Sequence, residues 1–200
     1  MKLSRAFYDR PTLDVAYDLI GAVLVHTRRG VRTSGVIVEV EAYIGESDPA
    51  CHAAPGPTAR NAPLYGAPGY AYVYLNYGIH CLVNVVTEAH GMPAAVLLRA
   101  LAPLDGIDVM RRRRARGRRG PDHELCRGPG NLTKAMGIGL AANRVDLLGD
   151  HVFIEARRPS LHPIVWGPRI GISVGTERPW RAYVDGHPAV SRPNRILQRG

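Results

Sequence analysis

The sequence predicts a mixed α/β fold: a single compact domain over residues 1–200, with a mostly antiparallel curved sheet, peripheral helices and a protruding β-hairpin. Three observations carry this. Short apolar or alternating runs such as AVLVH, VIVEVEAY, YVYLN and IHCLVNVV recur at close spacing and are punctuated by Gly and Pro, as strands joined by tight turns are. Only a few stretches, near Asp9, Asp105 and Gly128, carry helix-start signals. No internal repeat, low-complexity tract or linker divides the chain, so one core serves all of it.

In chain order, Asp9 as N-cap and Pro11 in the first turn predict a helix over TLDVAYDLI that stops at Gly21. AVLVH follows as a strand, Arg28 to Ser34 as a turn, and Val36 to Tyr43 as the antiparallel partner. In that partner Val36, Val38, Val40 and Ala42 alternate with Ile37, Glu39, Glu41 and Tyr43. The valines then face the core, and two carboxylates and a tyrosine face the other way. Such a glutamate is either the polar half of an alternating strand or a base beside a flat substrate, and the stretch alone leaves both readings open. The five prolines of SDPACHAAPGPTARNAPLYGAPG predict a loop, with one short helical turn begun by Ser47 or Asp48, close enough to Glu41 to wall a pocket.

Tyr70, Tyr72 and Tyr74 share one face of the next strand, Asn76, Tyr77 and Gly78 form a turn, and IHCLVNVVTE returns. Strand tyrosines commonly pack in cores or across strands, but Tyr77 at a hairpin tip suits a wedge that enters a partner. AAVLLRALAPL is a further strand, interrupted by Arg99, and Asp105 opens a helix that leads into an arginine run. Gly128 and Pro129 start another helix through Lys134 to Met136, with Gly137 as its stop. HVFIEA, PIVW, RIGISVG and WRAYV read as short strands, and SRPNRIL as a terminal turn or helix.

Charge and composition narrow the function. Seven arginines lie between Arg111 and Arg119, and without them the net charge of +9 falls to +2. A local positive field favours nucleic acid or another polyanion; a solvated loop, or an arginine-rich genome with Lys2 and Lys134 as the only lysines, is the plainer reading. Three unpaired cysteines, no run of eighteen apolar residues and no signal pattern after Met1 predict a cytoplasmic protein without disulfides or a membrane span. Cys51-His52 and His80-Cys81 lack spaced partners, so no metal is expected. GxSxG, GxGxxG, P-loop and HExxH patterns are absent, and no cofactor is expected.

The blocks VEVEAYIGESDPACH, ARN, YVYLNYGIHCLVNV, AVLLRALAPLDG, ELCRGPGNLTKA, and RIGIS with PWRAYV run in order over nearly the whole chain. Together they closely resemble the alkyladenine (3-methyladenine) DNA glycosylase family. The resemblance implies a monofunctional DNA glycosylase that flips damaged purines out of duplex DNA and hydrolyses the N-glycosidic bond. Its substrates would be 3-methyladenine and 7-methylguanine, with hypoxanthine and 1,N6-ethenoadenine as further candidates. By the same resemblance Glu41 activates the water beside Arg99, and Glu39 is structural. Tyr43 and Tyr74 hold the flipped base, His52 contacts it, and Asn84 crowds the exocyclic amine of guanine. Tyr77 fills the gap left in the duplex, with apolar Ile79 beside it where some members carry methionine. Arg60, Arg111, Arg112 and Lys134 are expected on the DNA backbone. His80 and Cys81 depart from the aromatics of some members and carry no assigned role.

Strand-cutting glycosylases use an amine to form a Schiff base, and neither lysine nor the N-terminus lies in the pocket blocks. The expected partner is double-stranded DNA containing alkylated or deaminated purines, bound by a monomer in the cytoplasm at the nucleoid. Two alternatives have other consequences: a damage-recognising nucleic-acid binding protein without catalysis, and a formyl-group transferase, which needs a cofactor domain the chain lacks.

Overall fold

A computed structural model describes residues 1–115, 120–156 and 163–191. Strands β1 (Val23–Arg28) and β2 (Val31–Ile44) form a hairpin, and β3 (Ala71–Asn76), β4 (His80–Val86) and β5 (Ala94–Asp105) form a meander. With β6 (Val152–Glu155) they make one antiparallel sheet in the order β3-β4-β5-β2-β1-β6; β7 (Ile164–Gly167) pairs with β8 (Arg181–Val184), which pairs with β2. Among the described residues four short α-helices, α1 (Arg5–Tyr8), α2 (Thr12–Leu19), α3 (Ile107–Arg113) and α4 (Pro129–Met136), pack around it. The result is one α/β domain with a curled sheet, as the sequence predicts.

The curl comes from the long strand β2. It keeps β5 along one edge but changes neighbours on the other, pairing with β1 over Val31–Val36 and with β8 over Glu39–Glu41. The register slips at this change. Ile37 pairs with Leu101 and Glu39 with Ala100, leaving Val38 extra; Val40 pairs with Leu98, leaving Arg99 extra. Such bulges bend and twist a strand and re-aim side chains. Ile37 and Val38 therefore both enter the main core, while Val36 packs on the opposite face with Val23, Val25, Leu104 and Phe153. The alternation expected from Val36 thus holds only from Val38 onward. Nor is the carboxylate face solvated, since Glu39 and Glu41 are both 0% exposed.

The main core joins Val40, Leu98 and Leu101 of the sheet to Tyr8, Leu19 and Ile20 of the N-terminal segment and to Leu132 and Met136 of α4. Each of these buried aliphatic side chains contributes about 1.5–3 kcal/mol. A smaller cluster of Cys51, Ala53, Leu64, Tyr72, Val86 and Ala95 lies on the face that carries the carboxylates.

Several boundaries differ from expectation. Helix α2 begins at Thr12 with Pro11 at its N-cap, because Asp9 closes α1 by donating its N–H to the Arg5 carbonyl. The turn expected over Arg28 to Ser34 is only Arg29-Gly30, both left-handed, and β2 resumes at Val31. The helical turn in the proline-rich loop is Ala62–Tyr65, not one begun at Ser47 or Asp48; the Asp48 carboxylate is taken up by Arg169. Tyr70 precedes β3 and lies against Arg5. Helix α3 follows Gly106, because Asp105 ends β5 and accepts a hydrogen bond from Ser34 Oγ at 2.5 Å. RIGISVG is not a strand: Gly171 and Gly175 take left-handed conformations that break it. The distal arginines of the run and SRPNRIL beyond Ser191 lie outside the described residues. Among the described residues no helix is long and apolar enough to cross a membrane.

Candidate active site

Cross-strand pairing builds the site. Glu41 on β2 lies opposite Leu97 on β5, Leu97 opposite Asn84 on β4, and Asn84 opposite Tyr72 on β3. Four adjacent strands thus present one row of side chains, spanning about 15 Å at three strand spacings. Three members of the row, Leu97, Asn84 and Tyr72, line a cavity of about 420 Å³. Tyr43, His52, Tyr74, Tyr77, Arg99 and the segment Ile170–Ile172 also line it. Glu41 lies beneath Tyr43, Arg99 and Ile170.

The two carboxylates are held differently. Glu41 accepts the Ile170 N–H on Oε1 at 2.6 Å, and on Oε2 the Tyr43 hydroxyl at 2.8 Å and Arg99 Nη1 at 3.1 Å. A carboxylate offers about four acceptor positions, so one remains. Glu39 has none left. Its Oε1 accepts Arg99 Nε at 3.3 Å and Arg181 Nη1 at 2.9 Å, and its Oε2 accepts the Ser191 N–H at 2.8 Å and hydroxyl at 2.5 Å. Arg99, the bulged residue, bridges both glutamates. Burial alone lowers its pKa, but the charges of Glu41 and Glu39 outweigh it and hold Arg99 above its ordinary value. Burial, then the Glu41 charge, pushes the Tyr43 hydroxyl well up, so it remains a donor to the carboxylate.

The aromatic wall is an ordered stack. Tyr72 and Tyr74 are two apart on β3 and stack at 5.3 Å between centroids, and His52 meets Tyr74 edge-on at 4.4 Å. His52 Nδ1 lies 2.9 Å from the Tyr72 hydroxyl, whose pKa burial pushes up to about 12. Burial, then the Arg60 charge, lowers the His52 pKa, so the ring is neutral at pH 7. Either the hydroxyl or Nδ1 can be the donor in this contact, and Nε2 carries the imidazole proton when the hydroxyl donates. The loop carrying His52 is pinned by buried Asn61, whose Nδ2 donates to the His52 and Gly56 carbonyls at 2.8 and 2.9 Å. Asn84 donates to the Tyr72 carbonyl at 3.1 Å and is 5% exposed.

Beside the cavity the β3–β4 hairpin ends in Tyr77-Gly78, with φ of 48° and 69°. Both are left-handed, within a three-residue loop between the paired Asn76 and His80, and that conformation is costly for a tyrosine. Tyr77 and Ile79 are 86% and 74% exposed. Helix α4 braces the hairpin from behind: Thr133 donates to the Cys81 carbonyl at 2.6 Å, and a Cβ on Gly130 would stand 2.9 Å from the His80 ring.

The basic residues are scattered. Arg60 is exposed over the Tyr74 ring at 5.9 Å. Arg111 donates to the Gly120 carbonyl and pairs with Asp122, Arg112 is exposed, and Arg113 caps α4 through the Ala135 and Met136 carbonyls. Lys134 lines a separate cavity of about 630 Å³ with Arg28 and Arg29. Among the described residues no three His, Cys, Asp or Glu side chains are gathered as metal ligands.

Sequence reasoning missed four contributors: Tyr72, which orients His52; Asn61; Ile170, whose N–H holds Glu41; and Arg169, behind Tyr43. Tyr72 carried a readable signal, being on the same strand face as Tyr74. Arg169 and Asp48 are 121 residues apart, and no spacing rule links them.

Comparison with known proteins gives a consistent result. Residues 6–188 match the methylpurine-DNA glycosylase family. Relatives carrying the name "putative 3-methyladenine DNA glycosylase" include one from Methanocella arvoryzae, 47% identical over 193 residues, covering 95% of this chain and 96% of that one. Another, from Rubrobacter xylanophilus, is 50% identical over 184 residues, 92% of this chain and 94% of that one. One from Bradyrhizobium diazoefficiens is 48% identical over 191 residues, 96% and 91% of the two.

Proposed function

The chain belongs to the methylpurine-DNA glycosylase family, and from that premise we propose that it extrudes alkylated purines from duplex DNA and hydrolyses their N-glycosidic bond with a water activated by Glu41. One observation carries the proposal: a buried carboxylate with a single free acceptor position lies under an aromatic cavity of purine-accommodating size, next to an exposed aromatic hairpin tip.

A base stacked in a duplex shields C1′, so it must leave the helix at a cost of roughly a few kcal/mol, less when damage weakens its pairing. Tyr77 takes the vacated space from the hairpin, with Ile79 beside it. Stacking against Tyr43 and Tyr74 returns roughly 1–3 kcal/mol per base. His52 offers Nε2–H to the base edge, and Asn84 on the cavity floor crowds an exocyclic amine such as that of guanine, a penalty that the weakened glycosidic bond of 7-methylguanine offsets. Water at the fourth acceptor position of Glu41 gives up a proton to the carboxylate as its oxygen attacks C1′. The bond to the purine breaks, its electron pair leaves with the base, and an abasic sugar remains. A purine alkylated at N3 or N7 leaves readily because it is already cationic. Substrates are 3-methyladenine and 7-methylguanine, with hypoxanthine and 1,N6-ethenoadenine as neutral candidates. Arg60, Arg112 and Lys134 are available to phosphates, whereas Arg111 also serves an internal ion pair. We place this monomeric enzyme in the cytoplasm, at the nucleoid.

The test is base release from alkylated DNA and from duplex oligonucleotides carrying hypoxanthine or 1,N6-ethenoadenine. Release from at least the alkylated DNA, leaving strands intact until alkali treatment, is expected. Tight lesion binding without release from any of the three would instead identify a damage-binding protein without catalysis.

A further inference from the structure

Tyr43 faces the cavity on one side and a buried stack of cations and aromatics on the other. The Arg169 guanidinium lies 4.8 Å from the Tyr43 centroid and 5.3 Å from that of Trp180, and Arg178 lies 4.7 Å over Trp180. The Arg169 side chain is 0% exposed and does not line the cavity, so the Tyr43 ring separates the two. Asp48, also 0% exposed, receives Arg169 Nη1 at 2.6 Å and Nη2 at 2.9 Å and has Arg178 at 3.6 Å. Two guanidinium groups face one buried carboxylate, and Arg178 also reaches the exposed Glu177 at 3.5 Å, so Arg169 is the cation set directly against the Tyr43 ring. The other charges near Tyr43 cancel, since Glu39 and Glu41 are matched by Arg99 and Arg181.

Resting on the glycosylase reading above, we propose that Arg169 is a specificity-determining residue whose charge behind Tyr43 weights the cavity against cationic purines and toward neutral ones. An aromatic face attracts a cation through its π density. Here one face is already occupied by a guanidinium, which draws that density away from the cavity. A cationic base on the other face also meets like charge across one ring, with little water to screen it. A neutral base keeps its full stacking. The bias fits the chemistry of the leaving groups: cationic bases depart without help, whereas neutral ones must be held longest.

The experiment measures single-turnover release from duplexes carrying cationic 7-methylguanine or neutral hypoxanthine, and takes the ratio of the two rates. A merely structural defect lowers both rates together. Arg169→Met leaves Asp48 paired with Arg178 and is expected to raise the 7-methylguanine-to-hypoxanthine ratio by about tenfold. Arg169→Lys keeps the charge and should hold the ratio within about twofold of wild type. Arg178→Met, at a position with a 27% exposed side chain, removes the outer charge and should raise the ratio by about two- to threefold. An unchanged ratio in folded Arg169→Met overturns the proposal; if that variant does not fold, an unchanged ratio in Arg178→Met does so. Wild type releasing no base even from alkylated DNA would end the glycosylase reading, and the proposal with it; wild type active on alkylated DNA but releasing neither 7-methylguanine nor hypoxanthine would overturn the proposal alone.

Discussion

Glu39 and Glu41 are two residues apart on one strand and share one arginine, yet only Glu41 keeps an acceptor position for water. Alternation singles out the pair and only the family resemblance separates the two, because the physical difference depends on Ile170, Arg181 and Ser191 arriving from the far end of the chain. Asp48 makes a prediction at the same scale. Burial raises its pKa, but the two hydrogen bonds and the charge of Arg169 outweigh burial and hold it below the ordinary 3.8. A depressed folded-state pKa stabilises the protein above the ordinary value, and that stabilisation is lost as pH falls toward the lower folded value. Asp48→Asn should therefore cost about 3–5 kcal/mol at neutral pH and flatten the fall of Tm below about pH 4. Thermal melts from pH 7 to 3 check this; parallel curves for the two proteins would contradict it.

Among the elements, the β3–β4 hairpin was the most legible, because Asn76-Tyr77-Gly78 announces a tight turn between two apolar runs. Removing its exposed tip should cost function and not stability. Tyr77→Ala is expected to leave Tm within about 2 °C and to reduce lesion-duplex affinity by about 10- to 100-fold. Gly78→Ala, which meets no neighbour but must hold φ near 69°, should reproduce part of that loss by disturbing the turn. Binding titrations beside melts separate the effects, and equal affinity in Tyr77→Ala would remove Tyr77 from the interface. Less legible was β2, where the bulges at Val38 and Arg99 arise because β1 and β8 take successive parts of one edge. Alternation is a local signal and carries no record of such a change of partner. The segment RIGISVG misled for a related reason: its apolar residues alternate, but it is a glycine-broken loop from which Ile170 and Ile172 line the cavity while Val174 is exposed.

For the whole molecule, the fold class and the antiparallel pairing followed from turn-punctuated strands, whereas the basic character did not resolve into one surface. Arg111 and Arg113 are partly committed to internal contacts, so the run is not simply a DNA-binding strip. Amine chemistry gives a sharper prediction at this scale. Lys2 pairs with Asp150, Lys134 lines the separate basic cavity, and neither lines the aromatic one. Borohydride added during turnover should therefore trap no protein–DNA adduct, and the product should be an intact strand with an abasic site; a trapped adduct would assign an amine nucleophile.

Activation of water by Glu41, beyond its place in a buried ion-pair network, is the step on which the proposed chemistry depends. It is tested most directly by single-turnover base release and lesion binding measured together for wild type and Glu41→Gln. Release slowed by about 10²- to 10⁴-fold with lesion affinity retained is expected. Release at the wild-type rate in a folded Glu41→Gln protein would contradict it.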